Sequence, residues 1–341
     1  MAAQLFLTTQ PGWAFATLAE LRARGVGSYA RFCHRDSSLL VPVHPPLAGT
    51  RLLTPADVFG GVLTAGSSRG RDATEQLARD LERLDPAVLQ QFVLRWLRWL
   101  PQPHRRRYSI GSEIWGDTAL HRAALAGLVG TALRRAIPQW KEVSSGEVRV
   151  YCKADPQLAL LGVRLYSSLG PHDTRSPGRP GALREHLACG LLALARVRPD
   201  AAVLDPFMGT GTILRAASRR FGVRTCIGAE IDPQAYRIAR RSVRAPDARL
   251  FGQPFESLDV ERLPAQLTLV SNLPFGVRFA QVPTARLLEF LARLRAKVVA
   301  LALLMGREQA AEVGPALGLR TKHVLVLGQP AAIVYAVDGP G

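Results

Sequence analysis

Residues 271–276, Ser-Asn-Leu-Pro-Phe-Gly, combine residue types that could act on an amino group. They follow an apolar run over 267–270 that predicts a buried strand. An exocyclic amine on a nucleobase is a weak nucleophile because its lone pair is delocalised into the ring. The side-chain carbonyl of Asn272 and the backbone carbonyl of Leu273 form a pair of acceptors that could stabilise the charge developing on such an amine.

The rest of this loop would hold the base. Pro274 stiffens the backbone and would keep the neighbouring carbonyl in place. Phe275 offers an aromatic face for stacking on a base extruded from a nucleic acid, and Gly276 allows a sharp exit. An ordinary strand-to-loop turn with a buried phenylalanine is the simpler alternative, so the motif needs support from elsewhere in the chain.

A second motif, LDPFMGTGTI at 204–213, has the composition of a cofactor-binding loop. Asp205 follows a predicted strand, and glycines at 209 and 211 would let the backbone turn tightly and approach a ligand. Glu230 ends the next predicted strand, where an acid can bind both hydroxyls of a ribose. Asp205 would repel a pyrophosphate but suits an ammonium group. These features favour S-adenosylmethionine, which carries an ammonium, a sulfonium and a ribose, over an alternative in which the glycines and acids only shape a turn.

Alternating strand and helix patterns over residues 182–341 predict a β-sheet that positions both motifs. They are typical of an α/β, Rossmann-like, doubly wound sheet of about seven strands, with the last pair partly antiparallel because those strands are close in sequence. Both motifs follow strands, so they would meet at the carboxyl edge of this sheet, where open α/β sheets bind ligands.

The first half of the chain predicts smaller α+β units. Residues 1–58 read as one such unit, residues 59–168 as a second, and the Gly/Pro-rich stretch 169–181 as a linker. The four cysteines have no metal-ligand spacing, no apolar run is long enough to span a membrane, and the N-terminus lacks a signal sequence. We therefore expect a cytoplasmic protein with no metal and no membrane contact; its oligomeric state is open, with a monomer as the default.

The charge balance favours a polyanionic partner. The chain of 341 residues has 44 Lys and Arg against 27 Asp and Glu, a formal net charge of +17. An excess of this size favours nucleic acid, although a solvated basic surface on a small-molecule enzyme is the alternative.

At this point the sequence resembles a known family. SNLPFG resembles the [Asp/Asn/Ser]-x-Pro-[Tyr/Phe] motif of amino-group methyltransferases, and LDPFMGTGTI and PGALREHLA resemble stretches of THUMP-containing tRNA guanine-N2 methyltransferases. TTQPGWAFATLAEL and LHRAALAGLVGTALRRAIPQWK resemble the N-terminal parts of that family more loosely. The resemblance implies a ferredoxin-like unit over 1–58, a THUMP-like RNA-binding domain over 59–168 and a catalytic domain over 182–341.

The resemblance also implies roles for individual residues, with S-adenosylmethionine as cofactor and tRNA, in its acceptor-stem region, as partner. The expected cofactor-binding residues are Asp205, Pro206, Phe207, Gly209, Thr210, Gly211, Thr212, Glu230, Ile231, Gln253 and Asn272. The expected catalytic residues are Asn272, Leu273, Pro274 and Phe275. The expected RNA contacts are Arg105, Arg106, Arg107, Arg134, Arg135, Lys141 and Lys153.

Two features depart from the family pattern. The loop has Leu273-Pro274 where many members have two prolines, and Gln253 stands where the family usually has an acid near the adenine. Two alternatives therefore stay open. One is a methyltransferase that acts on ribosomal RNA guanine or on another nucleic-acid amine, and the other is a non-catalytic THUMP RNA-binding protein with a decayed methyltransferase domain.

Overall fold

The structure, a computed structural model, describes residues 4–26, 31–33, 38–42, 52–67, 71–97, 100, 106–167, 182–275, 282–326 and 328–336. The chain forms two compact units. Unit 1 comprises Met1–Thr9, Ser28–Arg51 and Ala56–Ser167, and unit 2 comprises Gln10–Gly27, Leu52–Pro55 and Ser168–Gly341. The predicted linker over 169–181 lies outside the described residues.

The described elements follow one another along the chain. They are β1 (Gln4–Thr8), α1 (Ala14–Ala23), β2 (Arg31–Cys33), β3 (Ser38–Pro42), β4 (Asp57–Gly66), α2 (Ala73–Arg83), α3 (Pro86–Leu97), β5 (Arg107–Ile114), α4 (Arg122–Ala136), β6 (Lys141–Glu142), β7 (Val148–Ala154), β8 (Leu158–Ser167), α5 (Glu185–Leu194), β9 (Ala202–Asp205), α6 (Thr212–Phe221), β10 (Thr225–Ala229), α7 (Pro233–Ser242), β11 (Asp247–Phe251), β12 (Leu267–Asn272), α8 (Thr284–Leu294), β13 (Val298–Gly306), α9 (Arg307–Leu317), β14 (Arg320–Val326) and β15 (Gln329–Ala336). Two short 3₁₀ helices, Phe255–Ser257 and Val260–Arg262, lie between β11 and β12.

Unit 1 is built on one eight-stranded sheet in the order β2-β3-β1-β4-β8-β7-β5-β6. Strand β4 joins its two parts because it pairs antiparallel with β1 on one side and with β8 on the other. Helices α2, α3 and α4 pack against strands β4, β5 and β8. The predicted boundary at residue 58 falls inside β4, and the assignment of residues 59–168 as THUMP-like stays a prediction.

Unit 2 has a seven-stranded sheet in the order β11-β10-β9-β12-β13-β15-β14. Strands β9 to β13 are parallel to one another, whereas β15 is antiparallel to both β13 and β14. Apolar residues of α5 and α6 cover one face, and those of α8 and α9 cover the other. The predicted doubly wound sheet of about seven strands, with an antiparallel strand in its last pair, is confirmed.

Residues near the N-terminus complete the core of unit 2. The side chain of Trp13 is 2% exposed, and its Nε1 donates to the carbonyl oxygen of Leu325 at 3.1 Å. Helix α1 packs against α5. The carboxylate of Glu20 accepts hydrogen bonds from the backbone N–H groups of Leu53 and Thr54. The N-terminal stretch that the sequence analysis took as one unit therefore contributes to both compact units.

Candidate functional site

The order of strands in unit 2 reverses between β9 and β12, which makes this the expected place for a ligand crevice. The pairing of β9 with β12 ends at Leu204 and Leu269. On its other side, β12 pairs with β13 as far as Asn272 and Leu304. Asp205 and Asn272 therefore lie where the ladder between their two strands has ended, at the carboxyl edge of the sheet.

Asp205 is a buried acid at the end of β9, with 1% of its surface exposed. Its Oδ1 accepts a hydrogen bond from Ser271 Oγ at 2.5 Å and a weaker one from the Phe207 backbone N–H at 3.2 Å. Burial raises the pKa of Asp205 to about 7, and the charge of Glu230 adds to this, while the two hydrogen bonds oppose it. A cation bound nearby would favour the ionised carboxylate.

The glycine loop between β9 and α6 is fixed by an acid from the next strand. Gly209 and Gly211 have φ angles of +52° and +80°, which favour glycine. Glu230 accepts the Gly209 N–H on Oε2 at 2.9 Å and the Asp232 N–H on Oε1 at 2.8 Å. Each carboxylate oxygen has further acceptor capacity, so Glu230 can still accept hydrogen bonds from ligand hydroxyls.

The two glycines differ in what surrounds them. A Cβ at position 211 would lie 2.7 Å from Cγ2 of Val243, whereas one at position 209 would meet no atom within 4 Å. Gly211 therefore permits close packing against the end of α7, and Gly209 borders open space. This open cradle beside two acids fits the ammonium and ribose of S-adenosylmethionine.

The remaining predicted cofactor residues lie on this loop or on the segment after β11. Pro206, Thr210 and Thr212 are buried. Phe207 is half-buried, with its ring centroid 4.7 Å from that of Phe255. Gln253 donates through Nε2 to the carbonyl oxygen of Ser257 at 2.8 Å. Its Oε1 is the atom that an adenine amine requires.

Two exposed apolar side chains lie beside Glu230. Ile231 is 71% exposed and Phe251, the last residue of β11, is 37% exposed. The carbonyl oxygen of Phe251 also accepts the Glu230 N–H at 3.0 Å. Ile231 is among the residues expected from the sequence, whereas Phe251 is not, because its only signal is an aromatic residue at the end of a short strand.

The last residue of β12 carries an acceptor that the described residues leave unused. Asn272 Oδ1 is buried and has no hydrogen-bond partner among the described residues. Leaving such an atom unpaired costs about 1–3 kcal/mol, and such atoms are rare enough to call for an explanation. Leu273 is 1% exposed, and its N–H donates to the carbonyl oxygen of Leu304 at 2.9 Å. The loop is therefore anchored on the β13 side.

The last predicted residues of this loop are only partly exposed. Pro274 and Phe275 are half-buried, and Phe275 packs against the core on the α5 and α6 face. Part of its ring is therefore already used for packing, which limits the area that a stacked base could cover. Gly276 lies outside the described residues.

Four of the predicted RNA contacts lie together at one edge of unit 1. Arg107 pairs with Lys141 between β5 and the edge strand β6, and the Lys141 N–H donates to the carbonyl oxygen of Arg106 at 2.9 Å. Arg134 of α4 is held beside them by an ion pair with Glu142 on β6 at 2.8 Å. All four basic side chains are exposed. We call Arg106, Arg107, Arg134 and Lys141 the basic edge.

The other three predicted RNA contacts are not part of this edge. Arg135 is exposed and donates to the carbonyl oxygen of Glu82 at 3.4 Å. Lys153 is 1% exposed; its Nζ lies 4.0 Å from the ring centroid of Trp115 and 3.9 Å from Glu113 Oε2. A phosphate cannot reach it in this conformation. Arg105 lies outside the described residues.

Comparison with known proteins identifies the second half of the chain. Residues 172–300 match the model of the UPF0020 family, described as an RMKL-like methyltransferase domain. This part of the chain is similar to a methyltransferase domain. The predictions of a methyltransferase, of a Rossmann-like fold and of S-adenosylmethionine as the cofactor are confirmed at the level of this domain class.

Two curated relatives extend this match. The tRNA (guanine(6)-N2)-methyltransferase of Thermus thermophilus is 27% identical over 284 residues, which cover 80% of this chain and 79% of that protein. The U6 snRNA (guanine-N(2))-methyltransferase THUMPD2 of Bos taurus is 25% identical over 158 residues, which cover 45% of this chain and 30% of that protein. The predicted resemblance to guanine-N2 methyltransferases is thereby confirmed.

Two solved structures share the fold along nearly the whole chain. TrmN from Thermus thermophilus superposes with a TM-score of 0.69 at 23% identity, covering 98% of both chains. SMU.472, crystallised with SAH, superposes with a TM-score of 0.68 at 14% identity, again covering 98% of both chains. At these identities the likeness concerns the fold alone.

The described part of the chain contains no helix with the length and apolar character needed to cross a membrane. Nor do its described residues bring three or more His, Cys, Asp or Glu side chains together in a way that could hold a metal ion. The cytoplasmic location expected from the sequence stays a prediction.

Proposed function

We propose that this chain is an S-adenosylmethionine-dependent RNA methyltransferase that forms N2-methylguanosine in tRNA, in the acceptor-stem region. Both curated relatives are named for methylation of guanine at N2, although one name specifies tRNA and the other U6 snRNA. The observation that carries the proposal is the unpaired Asn272 Oδ1 at the crevice of a methyltransferase domain. An amine donor is the partner that this acceptor lacks.

The cofactor would lie over the carboxyl ends of β9, β10 and β11, and when bound it supplies the methyl group. Asp205 would pair with its ammonium, a role for which a buried and hydrogen-bonded carboxylate is suited. Glu230 would accept the ribose hydroxyls with the capacity left on its two oxygens. Gln253 Oε1 would accept from the adenine amine, while Ile231 and Phe251 would cover the apolar faces of the ring.

The target guanine would leave its stack and enter beside β12. Asn272 Oδ1 and the Leu273 carbonyl would accept hydrogen bonds from the two hydrogens of N2 and stabilise the charge that develops there. Pro274 would hold this pair in place, and Phe275 would stack on the base with the part of its ring that the core leaves open. Positioning, followed by loss of the proton to water, suffices for this step, so we assign no dedicated general base.

The basic edge of unit 1 would bind the RNA backbone. Arginine and lysine side chains at the edge of a sheet can contact successive phosphates, and Arg134 is kept in place by Glu142. Arg105 and Arg135 also stay as proposed RNA contacts, although they do not belong to the basic edge. Lys153 is left out of the proposal because it is buried against Trp115.

The proposal is tested by transfer of labelled methyl groups to a panel of RNAs. Unmodified tRNA, ribosomal RNA and U6 snRNA transcripts would be incubated with the protein and labelled S-adenosylmethionine, and tRNA with inosine in place of the target guanosine would serve as the matched control. We expect label in tRNA and none in the inosine control, because inosine lacks the amine. Label only in ribosomal RNA or snRNA would show that the substrate is that RNA and not tRNA. Label in none of the RNAs would favour the non-catalytic RNA-binding alternative.

A further inference from the structure

A side-chain hydrogen bond continues the contact between β9 and β12 beyond the end of their ladder. The backbone pairing of these strands ends at Leu204 and Leu269. Two residues further along β12, Ser271 Oγ donates to Asp205 Oδ1 at 2.5 Å. Ser271 is 0% exposed, so this bond is shielded from water. Hydrogen bonds to a carboxylate in such surroundings are short and strong.

Ser271 stands between the two halves of the proposed site. Its hydroxyl contacts the acid proposed for the ammonium of the cofactor, and the next residue, Asn272, is proposed to accept from the base. On the opposite side of β12, Ser271 and Asn272 pair with Leu303 and Leu304 of β13. The end of β12 is thus held by backbone pairing on one side and by the Ser271 hydroxyl on the other.

We propose that Ser271 is a positioning residue that joins the cofactor acid Asp205 to the end of β12 and thereby sets the place of Asn272. The proposal rests on the function proposed above, because it takes the roles of Asp205 and Asn272 from there. Without the hydroxyl, Asp205 would lose its short donor and the end of β12 would lose this side-chain link to β9. Both cofactor affinity and transfer would then change, for different reasons.

The change in cofactor affinity has a characteristic dependence on pH. The groups that act on Asp205 are Glu230, whose charge raises the pKa, and the hydroxyl of Ser271 and the N–H of Phe207, which lower it. Removing the hydroxyl therefore raises the pKa of Asp205 above its present value of about 7. Because the ionised acid binds the ammonium, the pH at which affinity reaches half of its plateau moves upward.

The first experiment measures SAH affinity by calorimetry between pH 6 and 9 for wild type, Ser271→Ala, Ser271→Thr and the control Thr268→Val. Thr268 is also buried on β12, but at the amino end of the strand. We expect Ser271→Ala to bind about tenfold more weakly at pH 7 and to recover at higher pH. Ser271→Thr, which keeps the hydroxyl, should have an SAH affinity closer to that of wild type. Thr268→Val should have the same SAH affinity as wild type.

A second measurement follows the Asp205 carboxyl directly by carbon-13 NMR titration without any ligand, with Asp205→Asn to assign the signal. This measurement does not depend on RNA or cofactor, so it separates the Ser271 proposal from the proposed function. We expect a higher midpoint in Ser271→Ala than in wild type. An unchanged midpoint would overturn the proposal, as would a loss of SAH affinity that is equal at every pH.

A third measurement tests the effect on Asn272. Single-turnover methyl transfer at saturating cofactor and pH 9, where cofactor affinity has recovered, should still be about 10–100-fold slower in Ser271→Ala, because small misplacements of a reacting pair are costly. Transfer at the wild-type rate under these conditions would show that Ser271 does not position Asn272.

Discussion

The two sides of the crevice in unit 2 differ in how their polar groups are satisfied. On the cofactor side, Asp205 and Glu230 each accept two hydrogen bonds from within the protein. On the base side, Asn272 Oδ1 is buried without a partner among the described residues. The polar groups of the proposed cofactor side are thus pre-organised by the protein itself, whereas those of the proposed base side would be completed by the substrate. Substitutions on the two sides should therefore separate binding from transfer.

The largest expected effect lies on the base side. Asn272→Ala removes the acceptor for the amine and should slow methyl transfer at least about 100-fold, as loss of one stabilising group does in other enzymes. SAH affinity, measured by calorimetry, should stay within about twofold of wild type. An equal loss of affinity and transfer would contradict the separation of the two sides.

On the cofactor side, Glu230→Gln should have the opposite profile. The amide cannot accept hydrogen bonds on both of its ends, so one of the two N–H contacts, to Gly209 or Asp232, is lost. We expect SAH to bind about 10–100-fold more weakly, with transfer at saturating cofactor within a few-fold of wild type. Unchanged SAH affinity would refute the assignment of Glu230 to the ribose.

Asp205→Asn tests what the buried acid costs in stability. The folded pKa of about 7 is above the ordinary value of 3.8, so this acid disfavours the folded state increasingly as the pH rises from about 4 through 7. The amide does not ionise and can still accept from Ser271. Urea unfolding without ligand should show the variant more stable by about 2–4 kcal/mol at pH 8.5, and by much less at pH 5. A variant less stable at both values would mean that Asp205 is not a destabilising acid.

Gly209→Ala and Gly211→Ala form a matched pair within the cofactor loop. Both residues have positive φ, so each alanine should cost about 1 kcal/mol in backbone strain. Only alanine at 211 also meets Val243, and only alanine at 209 projects into open space. Thermal unfolding should show the larger loss of stability for Gly211→Ala. Calorimetry with SAH should show that Gly209→Ala loses more affinity than Gly211→Ala in relation to the stability that each variant loses. The reverse order of the two effects would contradict the proposal that Gly209 borders the bound cofactor.

The smallest expected effect lies in unit 1. Arg107→Ala removes one charge from the basic edge and should weaken tRNA binding a few-fold, with a salt dependence that is reduced by about one counterion. Filter binding at several salt concentrations measures both. SAH affinity should not change, and Arg262→Ala, an exposed arginine of unit 2, is the comparison. A salt dependence equal to that of wild type would remove Arg107 from the interface.

Residues at strand ends could be placed from the sequence, whereas contacts between strands that are not consecutive could not. An acid or an amide that directly follows a strand pattern can be placed at the carboxyl edge of a parallel sheet, and Asp205, Glu230 and Asn272 do lie at that edge. The bond between Ser271 and Asp205 could not be predicted, because it depends on the register of β9 and β12, which are not consecutive strands. No local pattern records that register.

Other outcomes depended on tertiary packing in the same way. Lys153 has the type of a phosphate contact, but the rings of Trp115 and Phe6 cover it. Helix α1 packs against α5, about 170 residues away, and nothing in the sequence of α1 indicates that partner. The partner that an element packs against is therefore not readable from the sequence of that element alone.

The most direct test of the account is the identity of the methylated nucleoside in tRNA after incubation with wild-type protein and S-adenosylmethionine. Digestion and mass spectrometry should give N2-methylguanosine with wild type and none with Asn272→Ala. A methyl group on any other nucleoside, or N2-methylguanosine formed equally by both proteins, would contradict the role of Asn272 as the acceptor for the guanine amine.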